Sequence, residues 1–299
     1  MRANVASLCL SLFLGATACL AQEATPSAAI DSTQNVPHGL RPDAAAVYCS
    51  GFITDHKVPD TLQIVSAEQS SYKILFSRGD YVHIGMGAGQ GIRVGDRFSV
   101  VRPSEDPDRG TWFKWQNRLL KAMGTHYADL GTVQVVSVLP NASVAQVTFS
   151  CGPMWRGDLL RPYAERPVAP YKPASEFNHF APVSGKPVAM VVAQNGFSQI
   201  AGTNSAVYIN LGTAQGVKIG DYVRMFRYQG STVETAPLSK DYQYKVFGFG
   251  SAPKRYTWQD LPREVLGEGI VINTSTNAST VFMTYATAEV YSGDYVELE

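Results

Sequence analysis

Two features of the sequence could do chemistry: a glycine-rich run and a set of histidines. The run GMGAGQG begins at Gly85 with a glycine spacing close to that of a dinucleotide-binding loop, but the strand-like IRVGDRFSVV follows where a helix is needed. The histidines are far apart, at His38, His56, His83, His126 and His179. The sequence contains no G-x-S-x-G elbow. We therefore predict no cofactor, no metal site and no catalytic residue.

Aromatic side chains are the best candidates for binding. They cluster in two stretches, with Trp112, Phe113 and Trp115 in the first and Tyr242, Tyr244, Phe247, Phe249, Tyr256 and Trp258 in the second. An exposed aromatic ring can stack on a sugar or anchor a partner protein. The alternative is that these rings pack against their own barrel or against the rest of the chain. The sequence leaves both interpretations open.

Two cysteines, Cys49 and Cys151, remain once the first 21 residues are removed. In an oxidising compartment they allow one intramolecular pairing, and the alternative is two free buried thiols. No C-x-x-C spacing indicates zinc binding or redox chemistry. We predict a disulfide between Cys49 and Cys151.

An internal duplication identifies the positions that folding requires. VHIGMGAGQGIRVGD, starting at Val82, matches VYINLGTAQGVKIGD, starting at Val207, with seven of fifteen residues identical. A second stretch starting at Leu130 aligns without gaps to one starting at Leu266. Both copies contain Gly-Asp pairs, in which glycine permits a sharp turn and aspartate can accept hydrogen bonds from turn amides. We interpret these pairs as structural: Gly95, Asp96, Gly157, Asp158, Gly220, Asp221, Gly293 and Asp294.

The local patterns predict short strands and one helix. Apolar residues alternate over short runs such as Val82-Ile84-Met86, which is the period of half-buried strands. Short strands with few helical stretches favour a closed barrel in each copy, because closure removes exposed strand edges. We predict a mainly β protein with two tandem barrels, SH3-like or related. Trp115, Leu119 and Met123 recur at helical spacing, so a short helix is expected in the first insertion, ending at Gly124.

The chain is predicted to divide into an export segment, a tether, two repeats and a linker. Residues 1–21 have the basic start, short apolar core and small residues of a signal peptide. A lipid anchor at Cys19 is the alternative to simple export. The expected parts are the signal peptide at 1–21, a flexible Ala/Ser/Thr/Pro-rich tether at 22–46, the first barrel repeat at 47–165, a Pro-rich linker at 166–187 and the second barrel repeat at 188–299. We expect a periplasmic or envelope-associated protein.

Charge and hydropathy restrict the partners. The sequence has 25 Lys and Arg residues against 25 Asp and Glu residues, and only 17% of its residues are charged. This balance argues against a nucleic-acid footprint and against a polybasic membrane patch. No stretch of the mature chain is as long and apolar as a transmembrane helix requires. We predict an envelope protein or glycan as the partner, with no nucleic acid and no transmembrane segment.

The repeat resembles modules of bacterial envelope proteins. The pattern VxIxxGxxQGVKxGDxxxV, followed by LGxxxV and a closing GDxV, looks like the repeat in the C-terminal domain of flagellar assembly protein T and like modules that accompany LysM domains. The run AGTNSAVYINLGTAQGVKIGDYVRMFRYQG, with REVLGEGIV, is similar to a family of uncharacterised secreted bacterial proteins built from two such modules. The resemblance covers residues 47–299 and implies a small β-barrel module in the envelope, generally without catalysis.

Two functions of different classes follow from these observations. The first is a non-enzymatic envelope scaffold or binding module that acts through its aromatic-rich insertions. The alternative is a hydrolase of envelope polymers with a site at the junction of the two repeats. A shared cleft holding several ionisable groups with shifted pKa values would favour the hydrolase. An aromatic patch without such groups would favour binding.

Overall fold

The computed structural model describes residues 41–69, 71–106, 111–113, 115–167, 177–228 and 261–299. Within these ranges the protein is mainly β, which confirms the predicted fold class. The two α-helices found there are α1 (Ala44–Cys49) and α2 (Gln116–Met123). None of the helices in the described ranges is long and apolar enough to cross a membrane.

The strands fall into two groups that follow the duplication. Those of the first copy are β1 (Phe52–Thr54), β2 (Ile64–Ala67), β3 (Tyr81–Ile84), β4 (Arg97–Pro103), β5 (Thr125–Val138), β6 (Ser143–Ser150) and β7 (Leu159–Pro162). Those of the second copy are β8 (Val188–Gln194), β9 (Ile200–Ala201), β10 (Ala206–Ile209), β11 (Tyr222–Arg227), β12 (Glu264–Thr274), β13 (Ser279–Ala286), β14 (Val290–Tyr291) and β15 (Tyr295–Leu298).

The two copies have the same strand order. In the first copy the sheet runs β2-β3-β6-β5-β4-β7, with β1 paired to β5. In the second copy the matching strands close into a barrel, in the order β8-β10-β13-β12-β11-β15. In the first copy, a β-bridge between Gln63, next to β2, and Leu159, in β7, joins the two edges of the sheet. The duplication seen in the sequence is therefore a duplication of architecture.

Glycines shared by the two copies make the same close contacts in each. The amides of Gly87 and Gly212 donate to the Oε1 atoms of Gln90 and Gln215, both at 2.9 Å. A Cβ on Gly87 would lie 2.1 Å from a backbone oxygen, and one on Gly212 would lie 2.3 Å from another. Only glycine fits at these two positions, and the shared glutamines stabilise the turns that follow.

The four Gly-Asp pairs form turns of one kind. Asp96 and Asp221 each accept a hydrogen bond from the amide three residues earlier, at 2.8 Å. Asp158 and Asp294 make the same contact at 2.7 Å. These are the contacts expected of carboxylates that hold a turn in place.

The helices have clear local causes. The predicted helix in the first insertion is present as α2, and it ends at Gly124, whose φ of 123° favours glycine. Helix α1 was not predicted and begins at Ala44, inside the segment expected to be a tether. The Asp43 side chain caps it by accepting the Ala46 amide at 2.7 Å, and Val47 is the residue of this helix that is buried.

A disulfide joins Cys49, the last residue of α1, to Cys151, which directly follows β6. The two Cα atoms are 5.4 Å apart, and the cysteines are separated by 102 residues in the chain. The predicted pairing is confirmed. The bond attaches α1 to the first copy.

The matched strands β3 and β10 differ in burial. Alternate residues of β3 are buried, whereas all four residues of β10 are buried. His83 in β3 and Tyr208 in β10 occupy matched positions, and Tyr208 is fully buried against residues of the first copy. The two-residue period fails in β10 because both faces of this strand are covered.

Candidate functional site

The two copies pack against each other over a surface that we call the junction. Its apolar cluster takes residues from both copies: Ile53, Phe113, Met123, Val192, Ala193, Tyr208 and Ala278. Because these side chains are buried together, the described parts of the two copies belong to one compact unit. The junction therefore fixes the position of any group that lies beside it.

Buried hydrogen bonds cross the junction. They run from Tyr208 Oη to the Ser50 carbonyl at 2.7 Å, from Thr280 Oγ1 to the Gly51 carbonyl at 3.1 Å, and from Gln116 Nε2 to the Val192 carbonyl at 2.8 Å. Gly51 has a φ of 66°, and a Cβ there would lie 2.6 Å from Tyr208 Oη. The close approach of the two copies thus depends on a glycine at position 51.

The aromatic residues of the first insertion have different environments. Phe113 is buried in the junction cluster, and Trp112 packs against the same cluster. Trp115 precedes α2 and is 68% exposed. The first insertion therefore holds the two copies together through Phe113, and only Trp115 of these three is largely exposed. The other candidates, Tyr242, Tyr244, Phe247, Phe249, Tyr256 and Trp258, lie outside the described residues.

His126 is a buried histidine at the junction. Its ring packs edge-on against Phe197 and Tyr208, with centroids 4.9 and 4.7 Å away. Neither ring nitrogen has a hydrogen-bond partner among the residues that the structure describes. Burial lowers the pKa of His126 to about 4, because the charged imidazolium is poorly solvated there. The imidazole is therefore neutral at pH 7.

The His126 pKa leads to a prediction about acid stability. As the pH falls, a histidine in the unfolded chain, with a pKa of about 6.5, is protonated before His126 in the folded protein. The stability that the neutral ring contributes is present above pH 6.5 and is lost as the pH falls towards 4. We expect His126 to lower the free energy of unfolding by about 3 kcal/mol over that pH range. Urea unfolding at pH 7, 5.5 and 4.5 measures the loss.

The His126→Phe variant tests the assignment, because it keeps the ring packing and removes the titration. Its stability is expected to fall less with decreasing pH than that of the wild type. Phe113→Leu, in the same junction, provides the control, because it weakens the packing without removing a titratable group and should lower the stability by a similar amount at every pH. An equal pH dependence in His126→Phe and the wild type would contradict the prediction.

A cleft of about 450 Å³ lies beside His126, and we call it the His126 cleft. Its ionisable lining residues are Glu105, Asp106, Lys121 and His126, and Phe197 of the second copy also lines it. Burial strongly lowers the pKa of one of these groups, His126. A proton acceptor and carboxylates are thus present in one cleft that both copies line.

A second cleft, of about 400 Å³, lies between α1 and the second copy, and we call it the α1 cleft. Its polar lining consists mainly of amide and hydroxyl groups, from Ser50, Gln194, Asn195, Ser198, Asn204 and Ser205. Asp43 is the one charged residue among the described residues that line it. This lining suits hydrogen bonding to a neutral ligand.

Paired arginines and aspartates are repeated in the two copies. Arg102 donates through Nε and Nη2 to the carboxylate of Asp158, at 2.7 and 2.8 Å. Arg227 makes the same contacts with Asp294, at 2.7 and 2.6 Å. The guanidinium of Arg102 also lies 3.3 Å from the centroid of Trp155. Each ion pair therefore holds the closing turn of its copy against a neighbouring strand, which is β4 in the first copy and β11 in the second.

Sequence reasoning missed the arginine partners, although a signal was present. Arg102 and Arg227 are separated by the same interval as the first matched blocks, so the duplication itself points to them. It also missed both clefts, for which the sequence carries no motif. The described ranges bring together no group of three or more His, Cys, Asp or Glu side chains that could hold a metal ion.

Comparison with known proteins finds no matching family model and no matching curated protein.

Proposed function

We propose that this chain is a non-enzymatic binding module or scaffold of the bacterial cell envelope, with a protein or glycan as its partner. The observation that carries the proposal is the structural use of the repeated carboxylates. Asp158 and Asp294 each accept a turn amide and a bidentate arginine, so the ionisable residues common to both copies are used for folding. What distinguishes the copies is their insertions and the clefts at the junction, where binding roles can arise.

Export supports the envelope location. Residues 1–21 have the pattern of a signal peptide, and a disulfide such as Cys49–Cys151 persists in oxidising compartments. The resemblance of the repeat to modules of envelope proteins points the same way. A periplasmic or envelope-associated binding module accounts for all three observations.

A hydrolase of envelope polymers is the second candidate, and the His126 cleft is the observation that favours it. Glu105, Asp106 and His126 line one cleft at the junction, as a general acid and base would. However, an imidazole with a pKa of about 4 is a weak proton acceptor at pH 7. Binding is therefore better supported than hydrolysis.

Replacing Tyr256 and Trp258 with alanine is expected to abolish capture of the envelope partner. On this proposal the two rings contact the partner rather than the barrel, so the thermal transition of the purified protein should stay nearly unchanged. Capture is measured by crosslinking in intact cells, purification and identification of the attached partner. Phe113→Ala is the contrasting variant, because Phe113 is buried in the junction and its loss should lower the melting temperature.

Two results would contradict the proposal. Unchanged capture by the Tyr256 and Trp258 variant would remove the binding role of the second insertion. Release of soluble fragments from purified peptidoglycan by the wild type, but not by His126→Phe, would show a hydrolase instead.

A further inference from the structure

We infer that the α1 cleft is a binding site for a neutral, polyhydroxylated ligand, namely a short stretch of glycan. The inference rests on the proposed function and specifies its ligand class and its site. The cleft lies between α1 of the first copy and the segments around β8, β9 and β10 of the second. Its volume of about 400 Å³ is in the range of sites for small ligands.

Gln194 supplies the observation that points to a ligand. This last residue of β8 lines the cleft and is 1% exposed. Its Nε2 donates to the carbonyl oxygens of Gln199 and Val290, at 3.2 and 2.9 Å. Because both partners are acceptors, the orientation of the amide is fixed, and Oε1 must be the free acceptor. No donor reaches this Oε1 from the residues that the structure describes.

A buried acceptor without a donor is unfavourable, and a bound hydroxyl group would supply the missing hydrogen bond. The rest of the polar lining consists mainly of amides and serine hydroxyls. The Asn204 amide can both donate to and accept from a hydroxyl group, while Ser50 and Ser198 donate their own hydrogens to carbonyls and keep an oxygen that can accept. Ile200, which is 52% exposed, adds an apolar surface at the same cleft. A sugar ring presents both kinds of group, hydroxyls at its edge and C–H bonds on its faces.

The charges of the cleft favour a neutral ligand over an acidic peptide. No lysine, arginine or histidine is among the described residues that line it, so a carboxylate or phosphate would find no cation there. The one charged residue, Asp43, already accepts the Ala46 amide through Oδ1. Among envelope polymers, this lining fits the glycan chain better than peptides that carry carboxylates.

The walls of the cleft are fixed before any ligand binds. The Cys49–Cys151 disulfide ties α1 to the first copy, and Tyr208 ties Ser50 to the second copy through a 2.7 Å hydrogen bond. Fixed walls reduce the entropy that a flexible site would lose on binding.

Two tryptophan substitutions on α1 test the site. Ala44 and Ala45 are adjacent and both exposed, but only Ala45 lines the cleft. Ala45→Trp should fill the cleft, and Ala44→Trp should not, while both place the same side chain on the same exposed helix. The three proteins are titrated calorimetrically with the neutral tetrasaccharides of N-acetylglucosamine, β-1,4-linked glucose and α-1,4-linked glucose, and with a free peptidoglycan stem peptide.

The expected result is that the wild type and Ala44→Trp bind at least one tetrasaccharide with equal affinity, while Ala45→Trp binds it at least tenfold more weakly. Equal binding by Ala45→Trp and the wild type would overturn the site. Binding of the stem peptide alone, or of none of the four probes, would overturn the glycan assignment. New reducing ends formed during the titration of the wild type would show that it hydrolyses the glycan. That result would contradict the proposed non-enzymatic function, whatever the affinities of the two variants.

Discussion

Arg227→Met is expected to lower the free energy of unfolding by about 3 to 5 kcal/mol. The Arg227 and Asp294 side chains are 5% and 0% exposed, so the substitution leaves a buried carboxylate without its cation. A methionine of similar length fills most of the space, and the loss therefore reflects the charge more than a cavity. Urea unfolding at pH 7 measures it.

The first copy supplies the matched control. Arg102 makes the same bidentate contact with Asp158, but its side chain is 23% exposed, so water can partly replace it. Arg102→Met is expected to cost clearly less than Arg227→Met. Equal losses in the two variants would show that burial does not set the strength of this pair.

Replacing both Cys49 and Cys151 with serine is expected to lower the free energy of unfolding by about 2 to 5 kcal/mol. The disulfide links residues 102 positions apart in the chain. By the chain-entropy model, closing a loop of about 100 residues accounts for roughly 4.7 kcal/mol. Since the unfolded double variant is less restricted, its urea midpoint should fall while the native fold is retained.

Reduction provides an independent measurement of the same bond. The wild type with reductant should unfold at the urea concentration of the double serine variant, and the variant itself should not respond to reductant. If reductant leaves the wild-type midpoint unchanged, the disulfide contributes nothing to stability.

The repeat was the part of the fold that the sequence could predict. Gly87 and Gly212 are surrounded so closely by backbone that no other residue fits, and such constraints leave identical residues in both copies. Gly124 likewise marked the end of α2, because a helix end depends on a few neighbouring residues. Local requirements of this kind are visible in a single sequence.

The junction was not predictable, because its contacts join residues that are distant in the chain. The hydrogen bond from Tyr208 to Ser50 spans 158 positions, and the apolar run of β10 does not show which residues cover its outer face. Gln194 follows an apolar run and has no motif around it, yet it carries the unpaired acceptor of the α1 cleft. Only the packed structure brings these groups together.

The burial of Tyr208 determines how far these repeats can be treated as interchangeable parts. At the matched position, His83 keeps the outer face of β3 partly open to solvent, while Tyr208 needs Ser50 and Gly51 of the first copy around it. A second copy moved alone into another protein would expose Tyr208 and Val192, which are fully buried here. Gene rearrangement can therefore transfer the pair, but it cannot transfer the second copy without its neighbour.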